Sequence, residues 1–206
     1  MISVKKPELL VTPQSVAHVQ DLLKAGADAF VIGEQKFGLR LAGEFNVAQV
    51  EEATKIIHEA GKKVYVAVNA IFHNDRLDEL DSYLKEMQRI GVDALIFGDP
   101  AVVMAVRELG ITIPLHWNPE TIATNWFQVN YWGERGSKRA VLARELSLDE
   151  VLEIKENAKT EIEVQVHGMT CMFQSKRSLL GNYFLYRDQV MEVENRKDNK
   201  SMFLHD

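Results

Sequence analysis

Cysteine is nearly absent from this sequence, since Cys171 is the only one among 206 residues. A single thiol excludes an internal disulfide framework and is typical of a reducing compartment. No apolar run approaches the ~18 residues that a membrane-spanning helix needs, and the amino terminus lacks the long apolar segment of a signal peptide. We therefore expect a cytoplasmic protein with no membrane segment.

Neither sign of charge is in large excess, because 24 Lys and Arg residues stand against 30 Asp and Glu residues. The net charge of −6 argues against a protein that coats nucleic acid non-specifically, since such binding depends on neutralising phosphates. The net charge does not exclude a local basic patch. The C-terminal region is the place for one, since it carries Lys176, Arg177, Arg187, Arg196 and Lys197. Scattered, solvated charges are the alternative interpretation.

One pattern recurs along the chain: a helical stretch ends near a glycine, and an apolar, β-rich run follows. Glycine is common directly after a helix because that position often needs a left-handed backbone. Ser147 and Glu150 have the spacing of a capping box, which predicts a helix beginning at Leu148. The glycines that end the repeated helical stretches are Gly26, Gly61, Gly91, Gly110 and Gly136.

The apolar runs predict strands that are covered on both faces, as in a parallel sheet flanked by helices. They lie at residues 9–11, 28–33, 63–69, 94–98, 113–117, 139–144 and 162–167. Seven strands alternating with six crossover helices predict an α/β fold, and regular repetition favours a parallel (β/α) TIM-type barrel. A complete eight-stranded barrel is typically ~250 residues, so we expect an incomplete or truncated one. The predicted barrel domain is 1–170, and 171–206 is a C-terminal extension that begins a segment the chain does not complete.

Polar side chains stand where the predicted strands end, which is where parallel barrels place their active sites. Four of them can act as acid–base groups: His116, His167, Asp99 and Glu145. Asn69, Asn118 and Arg144 are candidates for substrate binding. Structural alternatives remain for several of these side chains. Asp99 can cap the helix that begins at Pro100, Glu145 can pair locally with Arg144, and His116 can be a satisfied core histidine.

Standard catalytic motifs are missing: the sequence has no H-E-x-x-H, no G-x-S-x-G and no P-loop. A nucleophilic Cys171 would need His167 or His116 as its base, although a lone thiol is more often buried and inert. A zinc site at the two histidines would need at least one further ligand, Asp99 or Glu145.

The segment EIEVQVHGMTCMFQSKRSLLGNYF resembles the signature of the collagenase-like peptidase family U-32, with matches at Glu163, Gly168, Cys171 and Leu180. Other stretches are similar to the same family from about residue 8 to 188. They include FGLRLAGEF with Arg40, GVDALIFGDPAVV with Asp99, LARELSLDEV with Arg144 and Glu145, and ATNW with Asn125.

The departures from that signature bear on the cofactor. Many family members are thought to hold an iron–sulfur cluster through cysteines in and beyond this region, and such clusters normally need about four thiolates. Here Ser178 stands where a second cysteine would be, so Cys171 can be a metal ligand only if other cysteines complete the site. We therefore expect no cluster held by this chain alone and leave the cofactor unknown.

The resemblance implies one of three functions. The first is oxygen-independent hydroxylation of the transfer-RNA wobble uridine, as enzyme or subunit, because the short, cysteine-poor chain resembles the smaller bacterial members of that branch. The others are a collagenase-like peptidase and a non-catalytic partner of a longer paralogue. For the first, Arg40, Arg144 and Arg177 can contact phosphate or carboxylate, and Asn69, Asn118 and Asn125 complete the expected substrate-binding set.

Overall fold

The computed structural model describes residues 6–168 and 179–187. The chain divides into two compact units, Met1–Gly168 and Met169–Asp206. Strands and helices alternate through the first unit, whereas the described part of the second contains one helix, α7 (Leu179–Tyr186). None of the described helices combines the length and the apolar character needed to cross a membrane. The assignment of separate roles to a barrel domain and a C-terminal extension stays a prediction.

The strands of the first unit are short, and each of the first six is followed by a helix. They are β1 (Leu10–Val11), β2 (Ala29–Ile32), β3 (Lys63–Val68), β4 (Ala94–Phe97), β5 (Leu115–Trp117), β6 (Ser137–Val141) and β7 (Glu161–Glu163). The helices between them are α1 (Val16–Lys24), α2 (Val47–Glu59), α3 (Asn74–Ile90), α4 (Pro100–Glu108), α5 (Trp126–Glu134) and α6 (Leu148–Asn157). The predicted alternation of seven strands with six crossover helices is confirmed.

The seven strands form one parallel sheet in sequence order, β1 to β7. Each neighbouring pair is parallel, and the register shifts once, between Leu115 and His116 where β5 meets β6. Within the described residues no strand pairing joins β1 to β7. The sheet is therefore a curled, incomplete (β/α) barrel of the TIM type, as the sequence predicts.

The helix ends follow local rules that the sequence already displays. Ser147 and Glu150 form the predicted capping box at the start of α6, and Asn46 with Gln49 forms a second one at α2. Gly91 ends α3 with a left-handed backbone (φ 81°), which a residue without a Cβ adopts at little cost. These signals place the helix boundaries, and hence the loops that carry the site.

Alternating residues of each strand face opposite sides of the sheet. On β3, Val64, Val66 and Val68 are fully buried in the main core between the sheet and its helices. Tyr65 lies on the other face, in a small cluster with Ala29, Ala94 and Ile96. This inner face is the barrel interior, and polar side chains gather there at both ends of the strands.

Candidate functional site

Glu120 is the centre of a group of polar side chains at the carboxyl ends of the strands. One carboxylate oxygen accepts from Arg40 Nη1 at 3.0 Å and from Arg144 Nη1 at 3.0 Å. The other oxygen accepts from Asn69 Nδ2 at 2.9 Å. Charge-assisted hydrogen bonds of this kind are the strongest that side chains make. Glu120 therefore holds three loops together around one carboxylate.

Gln165 extends the group beyond the end of β7. Its side-chain oxygen accepts from Arg144 Nε at 2.8 Å and from Arg40 Nη2 at 3.3 Å. Both arginines are thus held by two partners each, which fixes the direction of their guanidinium planes. We call Arg40, Asn69, Glu120, Arg144 and Gln165 the carboxyl-end cluster.

The loops that carry this cluster adopt an unusual backbone. Arg40 (φ 60°) and Glu120 (φ 66°) are the non-glycine residues with positive φ in the described part of the chain. Such a conformation costs of order 1–3 kcal/mol at a residue with a Cβ and persists only where surrounding contacts impose it. Its occurrence at two members of one cluster indicates that the loops are built to place these two side chains.

Short local contacts support the two loops. The Asn118 side-chain oxygen accepts from the Glu120 backbone N–H at 3.0 Å, which shapes the turn after β5. The Leu39 N–H donates to the Asn69 side-chain oxygen at 2.9 Å, which ties the Arg40 loop to β3. A Cβ at Gly38 would lie 2.7 Å from the Ala67 carbonyl oxygen, so only glycine allows this loop to approach the strand.

The carboxyl-end cluster carries two positive charges and one negative charge. The Glu120 and Arg144 side chains are almost buried, at 9% and 12% of full exposure, whereas Arg40 keeps 26%. A guanidinium group matches carboxylate or phosphate oxygens in pairs. The geometry therefore suits recognition of an anionic group.

A second polar group lies in the barrel interior toward the amino ends of the strands. Arg139 donates to Glu161 Oε2 at 2.8 Å and to Glu8 Oε1 at 2.8 Å, and its Nη1 lies 3.6 Å from Glu163 Oε2. The Tyr65 hydroxyl donates to Glu8 at 2.9 Å. We call Arg139 and the residues around it the amino-end cluster; the others are Glu8, Tyr65, His116, Glu161 and Glu163.

Burial governs the titration of this second cluster. Burial and the positive charge of Arg139 lower the pKa of His116 to about 4, so the imidazole is neutral at pH 7. Burial raises the pKa of Glu163, and the nearby Arg139 opposes that shift. The His116 Nδ1 atom is buried without a hydrogen-bond partner among the described residues. The ring packs edge-on against Tyr65, with centroids 4.7 Å apart.

The sequence-predicted site residues therefore divide among several places. Arg40, Asn69 and Arg144 meet in the carboxyl-end cluster, and Asn118 supports it through the turn. His116 lies instead in the amino-end cluster. His167 and Glu145 are exposed.

Two of the predicted residues make the contacts of helix caps. Asp99 caps α4, accepting from the Ala101 N–H at 2.9 Å, and also accepts from the Phe72 N–H. Asn125 caps α5 through the Gln128 N–H at 3.0 Å. Both roles follow from the unpaired N–H groups at a helix start. Arg177 and Cys171 lie outside the described residues, so their predicted roles stay predictions.

Glu120 and Gln165 are functional candidates that motif reasoning missed. Both follow the end of a strand with the same parity as its inward-facing residues: Glu120 lies four residues after His116, and Gln165 two after Glu163. That parity was a usable signal in the sequence. It was weak for Glu120, because the backbone after Asn118 leaves the regular strand conformation.

The described residues contain no group of three His, Cys, Asp or Glu side chains arranged to hold a metal ion. The two histidines proposed as zinc ligands, His116 and His167, belong to different surroundings, one buried beside Tyr65 and the other exposed. An iron–sulfur cluster does not fit the donor set of these 206 residues either, because they contain one cysteine and a cluster takes about four thiolates.

The fold and the carboxyl-end cluster together define a class: a TIM-like α/β barrel, incomplete over the described strands, with a polar site at the strand ends. The chain belongs to Peptidase family U32, whose family model matches residues 14–191. The resemblance in the sequence is thereby confirmed. A solved structure of a U32 peptidase superposes with a TM-score of 0.68 at 17% identity, covering 82% of this chain and 72% of that one, which supports the fold.

Two bacterial relatives show where the chain lies within the family. It is 60% identical to the tRNA hydroxylation protein P2 of Bacillus subtilis over 203 residues, which are 98% of this chain and 66% of the relative. It is 35% identical to tRNA hydroxylation protein P1 of the same organism, covering 91% of this chain and 44% of the relative. The chain thus spans two thirds or less of the length of the curated relatives it matches.

Proposed function

We propose that this protein takes part in hydroxylating an RNA nucleobase, the wobble uridine of transfer RNA, as the enzyme or as one of its subunits. Membership of Peptidase family U32 and the similarity to two tRNA hydroxylation proteins support the proposal. The observation that carries it is the pair of arginines sharing the Glu120 carboxylate at the strand ends. We place the activity in the cytoplasm.

In this proposal, Arg40 and Arg144 bind an anionic group of the substrate or of a second small reactant. Their guanidinium groups are held in place by Glu120 and Gln165 before anything binds, so little freedom is lost on binding. Asn69 and Asn118 keep the two loops in register. Because Arg40 is the more exposed of the two arginines, an incoming anion meets it first.

Acid–base chemistry is the second requirement. When a ring C–H becomes C–OH, a co-reactant supplies the oxygen and is reduced by two electrons, while the ring carbon loses its proton and the new oxygen gains one. Among the four predicted acid–base groups, Asp99 makes cap contacts. The His116 imidazole is neutral at pH 7 and buried, with one ring nitrogen unpartnered. His167 and Glu145 are solvent-exposed. Because it is buried, His116 can act only on a group that reaches the barrel interior.

The test is mass spectrometry of transfer-RNA nucleosides from cells that lack this gene, alone and together with a longer paralogue. We expect hydroxylated uridine to be lost and to return with the wild-type gene but not with Arg144→Met. The matched control is Arg89→Met, since Arg89 also bonds two glutamates but lies on the helical surface. A normal nucleoside profile in the double deletion would refute the proposal.

A longer paralogue is part of this proposal because two tRNA hydroxylation proteins of one organism both match the chain. We propose that the two act on the same transfer RNA, either together or in place of each other. Co-purification of the tagged chain with the paralogue would support a shared complex. Full rescue of the double deletion by this chain alone would show that it works without the paralogue.

A further inference from the structure

Strand β7 and the residues directly after it present a column of three polar side chains to the barrel interior. Glu161, Glu163 and Gln165 alternate along the chain and therefore share one face. Gln165 belongs to the carboxyl-end cluster, and Glu161 bonds to Arg139 in the amino-end cluster. Glu163 lies between them, one inward position below the residue that holds both site arginines.

One oxygen of the Glu163 carboxyl is neither solvated nor hydrogen-bonded among the described residues. Its Oε2 atom is shielded from water and has no hydrogen-bond partner among the described residues, although the side chain as a whole keeps 22% of its exposure. The nearest cation is Arg139 Nη1 at 3.6 Å, longer than a hydrogen bond. The same nitrogen already donates to Glu8 at 2.8 Å, and the rest of the guanidinium donates to Glu161.

Burial favours a bound proton on Glu163, and the charges around it act in both directions. Three carboxylates, those of Glu8, Glu161 and Glu163, share Arg139, and Lys63 is a second cation 3.6 Å from Glu8. Arg144 is the other positive charge that acts on Glu163. Burial raises the pKa of Glu163 most strongly, and the Glu8 charge adds to that shift against the two arginines.

We propose that Glu163 is the proton-holding residue of the barrel interior, neutral at pH 7, with its buried O–H presented below the carboxyl-end cluster. For its part in the reaction this inference rests on the proposed function. There Glu163 serves as the internal acid: it donates its proton to an oxygen of the anionic co-reactant held by Arg40 and Arg144, which delivers that oxygen to the ring carbon and is itself reduced by two electrons. The carboxylate so formed then takes up a proton that the reaction releases, and the starting state returns.

Infrared difference spectroscopy on the whole purified chain tests the proton directly, without any substrate. The spectrum of wild type minus Glu163→Gln at pH 7 should show the carbonyl stretch of a protonated carboxylic acid, which fades as the pH is raised. Glu86→Gln is the matched control, because Glu86 also bonds an arginine but lies on the helical surface and is 43% exposed. Only carboxylate bands at pH 7 in the Glu163 difference spectrum would overturn the proposal.

Stability gives a second readout. Because the folded-state pKa of Glu163 is raised above its ordinary 4.5, its ionisation weakens the fold increasingly as pH rises above that value. Glu163→Gln, which has the shape of the protonated acid, should therefore gain stability relative to wild type between pH 5 and pH 8. A constant difference across this range would contradict a proton on Glu163. Glu163→Asp serves as the second variant if the glutamine variant does not fold.

The reaction role is tested in the deletion strain described above. Glu163→Gln should slow uridine hydroxylation by about a hundredfold, as expected for loss of an acid–base group, and the surface control Glu86→Gln should not. Normal hydroxylation with Glu163→Gln, alongside failure with Arg144→Met, would overturn the role of Glu163 and leave the proposed function standing. Normal hydroxylation with both variants would overturn the function, while the infrared result would still decide the protonation state.

Discussion

The two ends of the barrel interior use the same residue types in opposite proportions. In the carboxyl-end cluster two arginines share one carboxylate, whereas in the amino-end cluster one arginine is shared by three. We propose that the first arrangement binds an anion. In the second, one positive charge is shared among three carboxylates, and we propose that one of them keeps a proton. The same residue types thus give a candidate anion site at one end and a network around one arginine at the other.

The backbone conformation also differs between the two ends of the barrel interior. Arg139 and Glu161 are partners in the regular pairing of β6 with β7, so this part of the amino-end cluster is held by sheet hydrogen bonds. Arg40 and Glu120 stand on loops with positive φ, so the carboxyl-end cluster is held in a conformation that costs energy. Backbone strain retained in loops is typical of a functional site.

The largest expected effect on stability is that of Arg139→Met at the amino end. Three carboxylates would lose their shared cation, and we expect a loss of about 3–5 kcal/mol in the free energy of unfolding. Denaturant unfolding measures this directly. Arg89→Met removes an arginine that also bonds two glutamates, but at the surface, and should leave the midpoint almost unchanged. Equal losses of stability for the two substitutions would show that the amino-end cluster stabilises the fold no more than a surface ion pair does.

Acid titration provides the next largest effect at the same end. His116 has an ordinary pKa of 6.5 and a folded-state pKa of about 4, so only the unfolded chain gains the proton between these values. Wild type should lose up to roughly 3 kcal/mol of stability as the pH falls through this window. The curve of His116→Phe, measured by denaturant unfolding at each pH, should be flatter there. Parallel curves for the two proteins would contradict a neutral buried imidazole.

At the carboxyl end, Glu120→Gln should separate function from stability. The two arginines lose their shared carboxylate, which we expect to cost about 2 kcal/mol in the free energy of unfolding. Uridine hydroxylation in cells should fall much further than this loss explains, because the arginines no longer keep their direction. Wild-type hydroxylation by a folded Glu120→Gln protein would remove the carboxyl-end cluster from the proposed site.

The smallest effect is expected at Asn125, which was assigned to the substrate-binding set because the segment around it resembles the family. Asn125→Ala removes the cap of α5 and should cost about 1 kcal/mol, with hydroxylation unchanged. Thermal unfolding and nucleoside analysis of the same variant measure both quantities. Loss of hydroxylation with unchanged stability would support the predicted substrate-binding role of Asn125.

Much of the site was predictable because strand ends are visible in the sequence. Asn69, Asn118 and Arg144 each follow an apolar run, and parallel strands bring such positions to one edge. Arg40 came from family resemblance alone, since it lies in a loop after β2 with no periodic signal. Asp99 was predicted either as a catalytic group or as a cap, and the contacts made by its two carboxylate oxygens are those of a structural residue.

His116 shows why the rest was not predictable. Its place in the middle of β5 is evident from the sequence, but its end of the barrel depends on how β5 aligns with β6. The register shift between Leu115 and His116 sets that alignment. Glu120 was missed for a related reason: its position depends on a turn stabilised by Asn118 and on a positive φ, and neither follows from hydrophobic periodicity.

The sequence by itself therefore determined the alternation of strands and helices, the helix caps, the parallel sheet and the family, because these depend on local spacing and residue type. The tertiary structure decided which polar side chains meet. Arg40 and Gln165 are 125 residues apart, and Glu8 and Arg139 are 131 apart, yet each pair shares a hydrogen bond. Contacts at such separations depend on strand register and barrel curvature, which are properties of the packed sheet as a whole.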